Sequence, residues 1–190
     1  SLPTPASSST TPLPPVPPVL LSTSKYCIED IDLVKLQWEA AASEELGRGS
    51  FGIVYRGIYD GSPVAVKHLQ LQGNPTEHQL KKFSKEVKIA KLAAHPNVIT
   101  YYGASTGKCV IVFERAHCSV ADIIHGGNFL PNGSSLSEIS ELLSVLSDVC
   151  KGLSFLHYHG VIHRDIKLGN VLLVYSDPSP DCFVAYVNYL

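Results

Sequence analysis

The chain has 190 residues, 45% of them hydrophobic, and carries 15 Lys and Arg against 17 Asp and Glu, a net charge of −2. That length suits one domain, or one domain with a tail. The hydrophobic fraction excludes a chain disordered throughout, and the charge balance excludes the basic field that a nucleic-acid binder presents.

Every Lys, Arg, Asp and Glu lies from Lys25 onward, while seven of the 13 prolines fall by Pro18. Residues 1–36 therefore read as a Pro/Ser/Thr-rich tail, with 1 to about 24 expected to lack defined structure. Within it Pro12-Leu13-Pro14-Pro15-Val16-Pro17-Pro18 has overlapping PxxP spacings. Such a segment holds polyproline II and could dock on a polyproline-reading domain, but with no flanking arginine a stiff linker is the preferred reading. Leu13 to Leu21 is broken by four prolines and has no preceding basic residue, so it is no signal peptide. No stretch approaches the roughly 18 apolar residues that span a bilayer. The five cysteines (27, 109, 118, 150, 182) are odd in number and form no CxxC pair. That argues against a disulfide framework or a zinc site and suits a reducing compartment, the cytoplasm.

Past Trp38 the periodicity becomes regular. Ile53 to Tyr59 and Pro63 to Leu69 are β-rich runs joined through Asp60-Gly61, a hairpin signal. Asn74-Pro75-Thr76-Glu77 predicts a helix start, with Asn74 as cap. The helix expected over 76–93 puts Leu80, Phe83, Val87 and Ala90 on one face. Val98 to Tyr102 and Cys109 to Phe113 read as further strands. Ser135-Leu136-Ser137-Glu138 is a capping box, opening a helix with a stripe of Ile139, Leu142, Leu143, Leu146, Val149, Cys150, Leu153 and Leu156. Five strands with one inserted helix, followed mainly by helix, make an α+β pattern of two unequal lobes.

Three motifs carry chemistry. Gly47-Arg48-Gly49-Ser50-Phe51-Gly52-Ile53-Val54 is GxGxxGxV. A dinucleotide-binding βαβ unit needs a helix at the third glycine; here Gly52 leads into a hairpin, so the glycines lie between antiparallel strands. Lys67 sits among apolar neighbours in Val64-Ala65-Val66-Lys67, and Glu86 lies near the apolar face of the next helix. Each charge is costly there unless paired, and each nominates the other. His163-Arg164-Asp165-Ile166-Lys167-Leu168-Gly169-Asn170 follows the long helix. Phosphoryl transfer asks for a carboxylate beside the acceptor hydroxyl, a cation near the phosphoryl group and an oxygen ligand for Mg²⁺. Asp165, Lys167 and Asn170 supply these in order.

From about Trp38 to Val174 the chain resembles a eukaryotic protein kinase domain, of the tyrosine-kinase-like group of serine/threonine kinases. The resemblance implies a kinase-like fold over 37–190, with an N-lobe of about 37–116 and a partial C-lobe of about 117–190. It implies ATP and Mg²⁺, protein substrates bearing Ser or Thr, and transfer of the γ-phosphoryl. Leu46, Val54 and Ala65 would sandwich adenine beneath the glycine loop, residues 47–52. Glu114 and Ala116 would meet the base at the hinge, beside Phe113 as gatekeeper. Lys67 would hold the α- and β-phosphates, Glu86 would orient Lys67, and Asp165 would be the catalytic base. Lys167 would assist at the phosphoryl group and Asn170 would bind Mg²⁺.

The family pattern next calls for Asp-Phe-Gly, an activation segment and further helices. A strand is expected over Phe183 to Val187, and Asn188-Tyr189-Leu190 stand where the metal-binding Asp belongs. Asp177 and Asp181 fall too early to replace it. With Asp-Phe-Gly and the later elements missing, the chain reads as a C-terminally incomplete kinase domain, by itself inactive in transfer, and the lack of any methionine, position 1 included, suits an incomplete chain. The alternative is a pseudokinase-like module that binds nucleotide or a partner without transferring phosphate.

Overall fold

The computed structural model describes Tyr26 and residues 28–49, 52–69, 75–92, 94–126, 139–175 and 183–188. The PxxP segment, the Asn74 cap, the Ser135–Glu138 capping box, Ser50, Phe51, Asp177 and Asp181 lie outside them.

Two antiparallel sheets divide the molecule. The first contains β1 (Leu36–Trp38), β2 (Glu45–Gly49), β3 (Gly52–Tyr59), β4 (Ser62–His68), β5 (Tyr101–Ser105) and β6 (Val110–Glu114). Its order is β1-β3-β4-β6-β5, with β2 also pairing β3. The second contains β7 (Cys118–Ser119), β8 (Val171–Tyr175) and β9 (Phe183–Val187). Helix α1 (Glu77–Leu92) lies in sequence between β4 and β5, and α2 (Val120–Gly126) and α3 (Ile139–Tyr158) between β7 and β8. The α+β architecture, with one helix inserted in the first sheet, is as the sequence implies.

The period-2 alternation of β4 and β6 separates two cores. Val64, Val66, Val110 and Val112 point to one face, with Ile31, Leu33, Leu36 and Trp38. Ile111 and Phe113 point to the other, where α1 supplies Phe83, Val87 and Ala90. The β3–β4 turn has Asp60 at φ 50° and Gly61 at φ 81°. Both central residues are left-handed, as a hairpin matching the strand twist requires. Gly52 is sterically necessary: a Cβ there would lie 2.4 Å from the His68 carbonyl oxygen.

Several expectations shift. The strand placed at Val98 to Tyr102 begins at Tyr101, because Val98 forms a parallel bridge to Val187 and is buried in a separate core with Val149 and Leu156 of α3, Leu173 of β8 and Ala185 of β9. Helix α1 is capped by Thr76. Its Oγ1 accepts from the Gln79 N–H (3.3 Å), while Gln79 Oε1 accepts from the Thr76 N–H and hydroxyl (both 2.9 Å), a reciprocal capping box. The tail boundary at 36 is too late: residues 28–31 are already bound to β5 and β1 already pairs with β3.

The stripe on α3 is rotated from the expected one. Val145, Val149, Gly152 and Leu156 are buried, whereas Ile139, Leu142, Leu143 and Leu146 are 36–76% exposed and Cys150 is exposed. The helix is apolar on two adjacent faces, and Gly152 selects between them. A Cβ at Gly152 would stand 2.4 Å from the Asn97 carbonyl oxygen, so the glycine face alone permits that approach. The lobes are joined there: the Val187 N–H donates to the Asn97 carbonyl (3.0 Å), and Asn97 Nδ2 donates to the Ala185 carbonyl (3.2 Å).

Candidate active site

Facing residues of β3, β4 and β6 form a wall. Val54 is the cross-strand partner of Lys67, and Ala65 that of Phe113, so these four side chains share one face. The β2–β3 hairpin lies beside it, with Gly49 opposite Gly52. Space is open where a Cβ would sit at Gly47 and Gly49, which leaves their backbone approachable. Leu46 is exposed on β2. Arg48 is held by Glu45, with Nη2 to Oε2 at 2.7 Å and Nε to Oε1 at 3.2 Å.

Lys67 is only 5% exposed. Its Nζ meets Glu86 Oε1 at 2.5 Å, tying β4 to α1. A buried ammonium without a counter-charge is strongly unfavourable, so the pair couples the position of α1 to that of the lysine. At the end of β6 the Glu114 N–H donates to the Thr100 carbonyl (2.9 Å), and its carboxylate accepts from the Thr100 hydroxyl (2.7 Å). Arg115 and Ala116 follow as a half-buried link into the second lobe. Leu172 of β8 packs against the cluster that contains Phe113. The sequence reading did not single it out, because β8 reads as an unbroken apolar run.

Between α3 and β8 the polar loop is held by its own members. The His163 ring accepts at Nδ1 from the Asp165 N–H (3.2 Å), which leaves the proton on Nε2 to donate to the Asn188 carbonyl (2.6 Å). The Asn188 N–H donates to the Asn170 carbonyl (2.9 Å). His163 thus joins the loop to the end of β9, a role its motif alone did not specify. Arg164 sits at φ 69°, a left-handed conformation that non-glycine residues adopt at a cost.

The Asp165 carboxylate receives Lys167 Nζ at 2.8 Å and Asn170 Nδ2 at 2.9 Å. Asn170 Nδ2 also donates to the Asp165 carbonyl (2.7 Å). Hydrogen bonds from Lys167 and then Asn170 outweigh desolvation and hold this carboxyl below its ordinary value. It is an ionised, solvent-facing acceptor, able to take a hydrogen bond from an incoming hydroxyl.

The structure therefore gathers the sequence candidates into two groups, Lys67 with Glu86 and Asp165 with Lys167 and Asn170. For a nucleotide the fit is good: a glycine hairpin, an apolar wall and a buried lysine. For Mg²⁺ it is poor. Asn170 offers Oδ1, the Asp165 carboxylate is already neutralised by Lys167, and position 188 carries an amide. Among the described residues no three His, Cys, Asp or Glu side chains converge as a metal site, whereas magnesium is usually held through one or two carboxylates.

Comparison with known proteins agrees with the geometry. A family model described as the protein kinase domain matches residues 40–179. A probable serine/threonine-protein kinase of Dictyostelium discoideum is 33% identical over 138 residues, covering 71% of this chain and 14% of its own length. Serine/threonine-protein kinase STY17 of Arabidopsis thaliana is 33% identical over 147 residues, 76% of this chain and 24% of its own. STY46 of the same plant is 32% identical over 133 residues, 68% and 22%. The chain thus spans about a quarter or less of the length of these curated relatives.

Proposed function

This chain belongs to the protein kinase domain family, and from that premise we propose that it binds ATP between its lobes and presents Asp165 to a Ser or Thr hydroxyl of a protein substrate. The observation that carries the reading is the Lys67–Glu86 pair, a fixed, buried cation whose cross-strand neighbour is Val54 at the end of the glycine motif. The hairpin backbone and Lys67 bind phosphate oxygens, Val54, Ala65 and Leu172 enclose the base, and Asp165 orients the acceptor hydroxyl. Lys167, beside Asp165, offsets charge on the phosphoryl group. ATP supplies the γ-phosphoryl that is transferred.

The test has two arms. Lys67→Met is expected to weaken ATP binding about ten-fold or more, as loss of a charge-assisted contact does. Within a complete kinase domain, Asp165→Asn is expected to leave binding intact and to lower transfer of labelled phosphate to a generic protein substrate roughly 10²-fold, the scale of a lost positioned base. ATP affinity unchanged by Lys67→Met would overturn the reading.

One observation favours a second reading, a nucleotide-binding module that does not transfer phosphate. Asn188 occupies the position that the family resemblance reserves for a metal-binding Asp, beside Asn170. On this reading ATP binding is indifferent to Mg²⁺, and Asn188→Asp makes it magnesium-dependent. Magnesium-dependent binding and transfer by the unaltered chain would exclude it.

A further inference from the structure

In the first sheet the outer strand β5 is covered by a segment that precedes the expected domain. At Glu29 the chain bridges antiparallel to Ser105. The Thr106 N–H donates to the Ile28 carbonyl (2.7 Å), and the Asp30 N–H donates to the Ala104 carbonyl (3.0 Å). Glu29 Oε1 accepts from the Gly107 N–H (2.7 Å). The Thr106 hydroxyl, fully buried, accepts from the Ile28 N–H (2.8 Å) and donates to the Tyr26 carbonyl (3.2 Å). Ile31 is buried over Gly103, where a Cβ would lie 2.7 Å from Ile31 Cβ and 2.9 Å from the Asp30 carbonyl oxygen.

This strap also reaches α1. The Asp30 carboxylate accepts from the Ala104 N–H (2.6 Å) and from the Tyr101 hydroxyl (2.8 Å), and pairs with Lys91 Nζ at 2.5 Å. Burial pushes the Asp30 carboxyl up, but hydrogen bonds from Lys91, Ala104 and Tyr101 outweigh it and hold it below the ordinary value. Lys91 lies in the last turn of α1, five residues and about 7.5 Å of axis beyond Glu86. The inner face of the helix has by then narrowed to Ala90, and Leu92 is 54% exposed. Apolar packing holds the middle of α1, and the Asp30 pair holds its end.

We propose that Tyr26 and residues 28–31 are a positioning strap for the Lys67–Glu86 pair, with Asp30 as the positioning residue acting through Lys91 and α1. Engaged, the strap keeps Glu86 against Lys67; withdrawn, it releases the end of α1 and loosens the lysine. Its functional consequence rests on the nucleotide-binding reading above, whereas its effect on α1 does not.

The experiment measures hydrogen exchange of the α1 amides and affinity for the fluorescent analogue TNP-ATP in the 190-residue chain. Three variants are compared: Asp30→Ala, Lys91→Met, and Gly103→Ala, which lifts the strap without altering a charge. Each is expected to speed exchange in the last two turns of α1 and to weaken TNP-ATP binding roughly two- to five-fold, the scale of a partly exposed ion pair. The Asp30→Ala/Lys91→Met double variant is expected to be no worse than the worse single, since both remove one interaction. In a Glu86→Gln background, Asp30→Ala is expected to cost no further affinity, an outcome that general loosening of the fold would not produce. Lys91 is solvent-facing, so Lys91→Met carries the test if Asp30→Ala does not fold. Unchanged α1 exchange in folded Lys91→Met and Gly103→Ala would overturn the proposal, as would faster exchange with unchanged affinity. If the unaltered chain does not bind TNP-ATP, the nucleotide-binding reading falls, and the exchange arm still decides whether the strap holds α1.

Discussion

At the scale of single residues, the charges that define the site are set by their immediate partners. Asp165 is held ionised chiefly by the Lys167 hydrogen bond. Its carboxyl should titrate below 3.8 by carbon-detected NMR, and Lys167→Ala should move that midpoint upward. His68, packed over Trp38 at 5.0 Å between ring centroids, is pushed below its ordinary 6.5 by burial. Folding therefore favours the neutral ring. Its contribution to stability is complete above pH 6.5 and is lost as pH falls from there through the folded value. The thermal midpoint should accordingly drop as pH is lowered below 6.5, and His68→Phe should flatten that limb.

At the scale of elements, the same local rules operate with different outcomes. Helix α1 buries the face its periodicity predicts, because Leu80, Phe83, Val87 and Ala90 form its one apolar stripe. Helix α3 is apolar on two faces, and periodicity cannot choose between them; contact with the Asn97 loop does. Gly152→Ala sets a methyl group against the Asn97 carbonyl, which has no flexible end to yield. Chemical denaturation should show a loss of roughly 1–3 kcal/mol, the range for overpacking a tight contact. A change within error would mean that the loop accommodates the methyl group.

At the scale of the whole molecule, the surface of α3 is out of balance with the rest. Ile139, Leu142, Leu143 and Leu146 lie on one exposed side, and contiguous apolar surface of this kind promotes association. Leu143→Glu with Leu146→Glu should leave the circular dichroism unchanged and lower the self-association seen by sedimentation or light scattering. Unaltered association would locate the sticky surface elsewhere. No helix among the described residues is long and apolar enough to cross a membrane.

Local sequence was enough to find the glycine hairpin, the Lys67–Glu86 pair, the Asp165 loop and the strand ending at Val187. Each rests on chemistry legible in the residues themselves: turn residues, alternation along a strand, a charge too costly to leave alone, or the carboxylate, cation and amide that phosphoryl transfer asks for. It was not enough for Leu172, for the buried face of α3, or for residues 28–36, which composition assigned to the tail. Those depend on partners far away in the chain. Leu172 matters because it packs against the cluster that holds Phe113, Gly152 because Asn97 approaches it, and Asp30 because β5 and Lys91 meet it together. Such contacts form only when the chain closes on itself, and only the tertiary structure decides which distant surfaces meet.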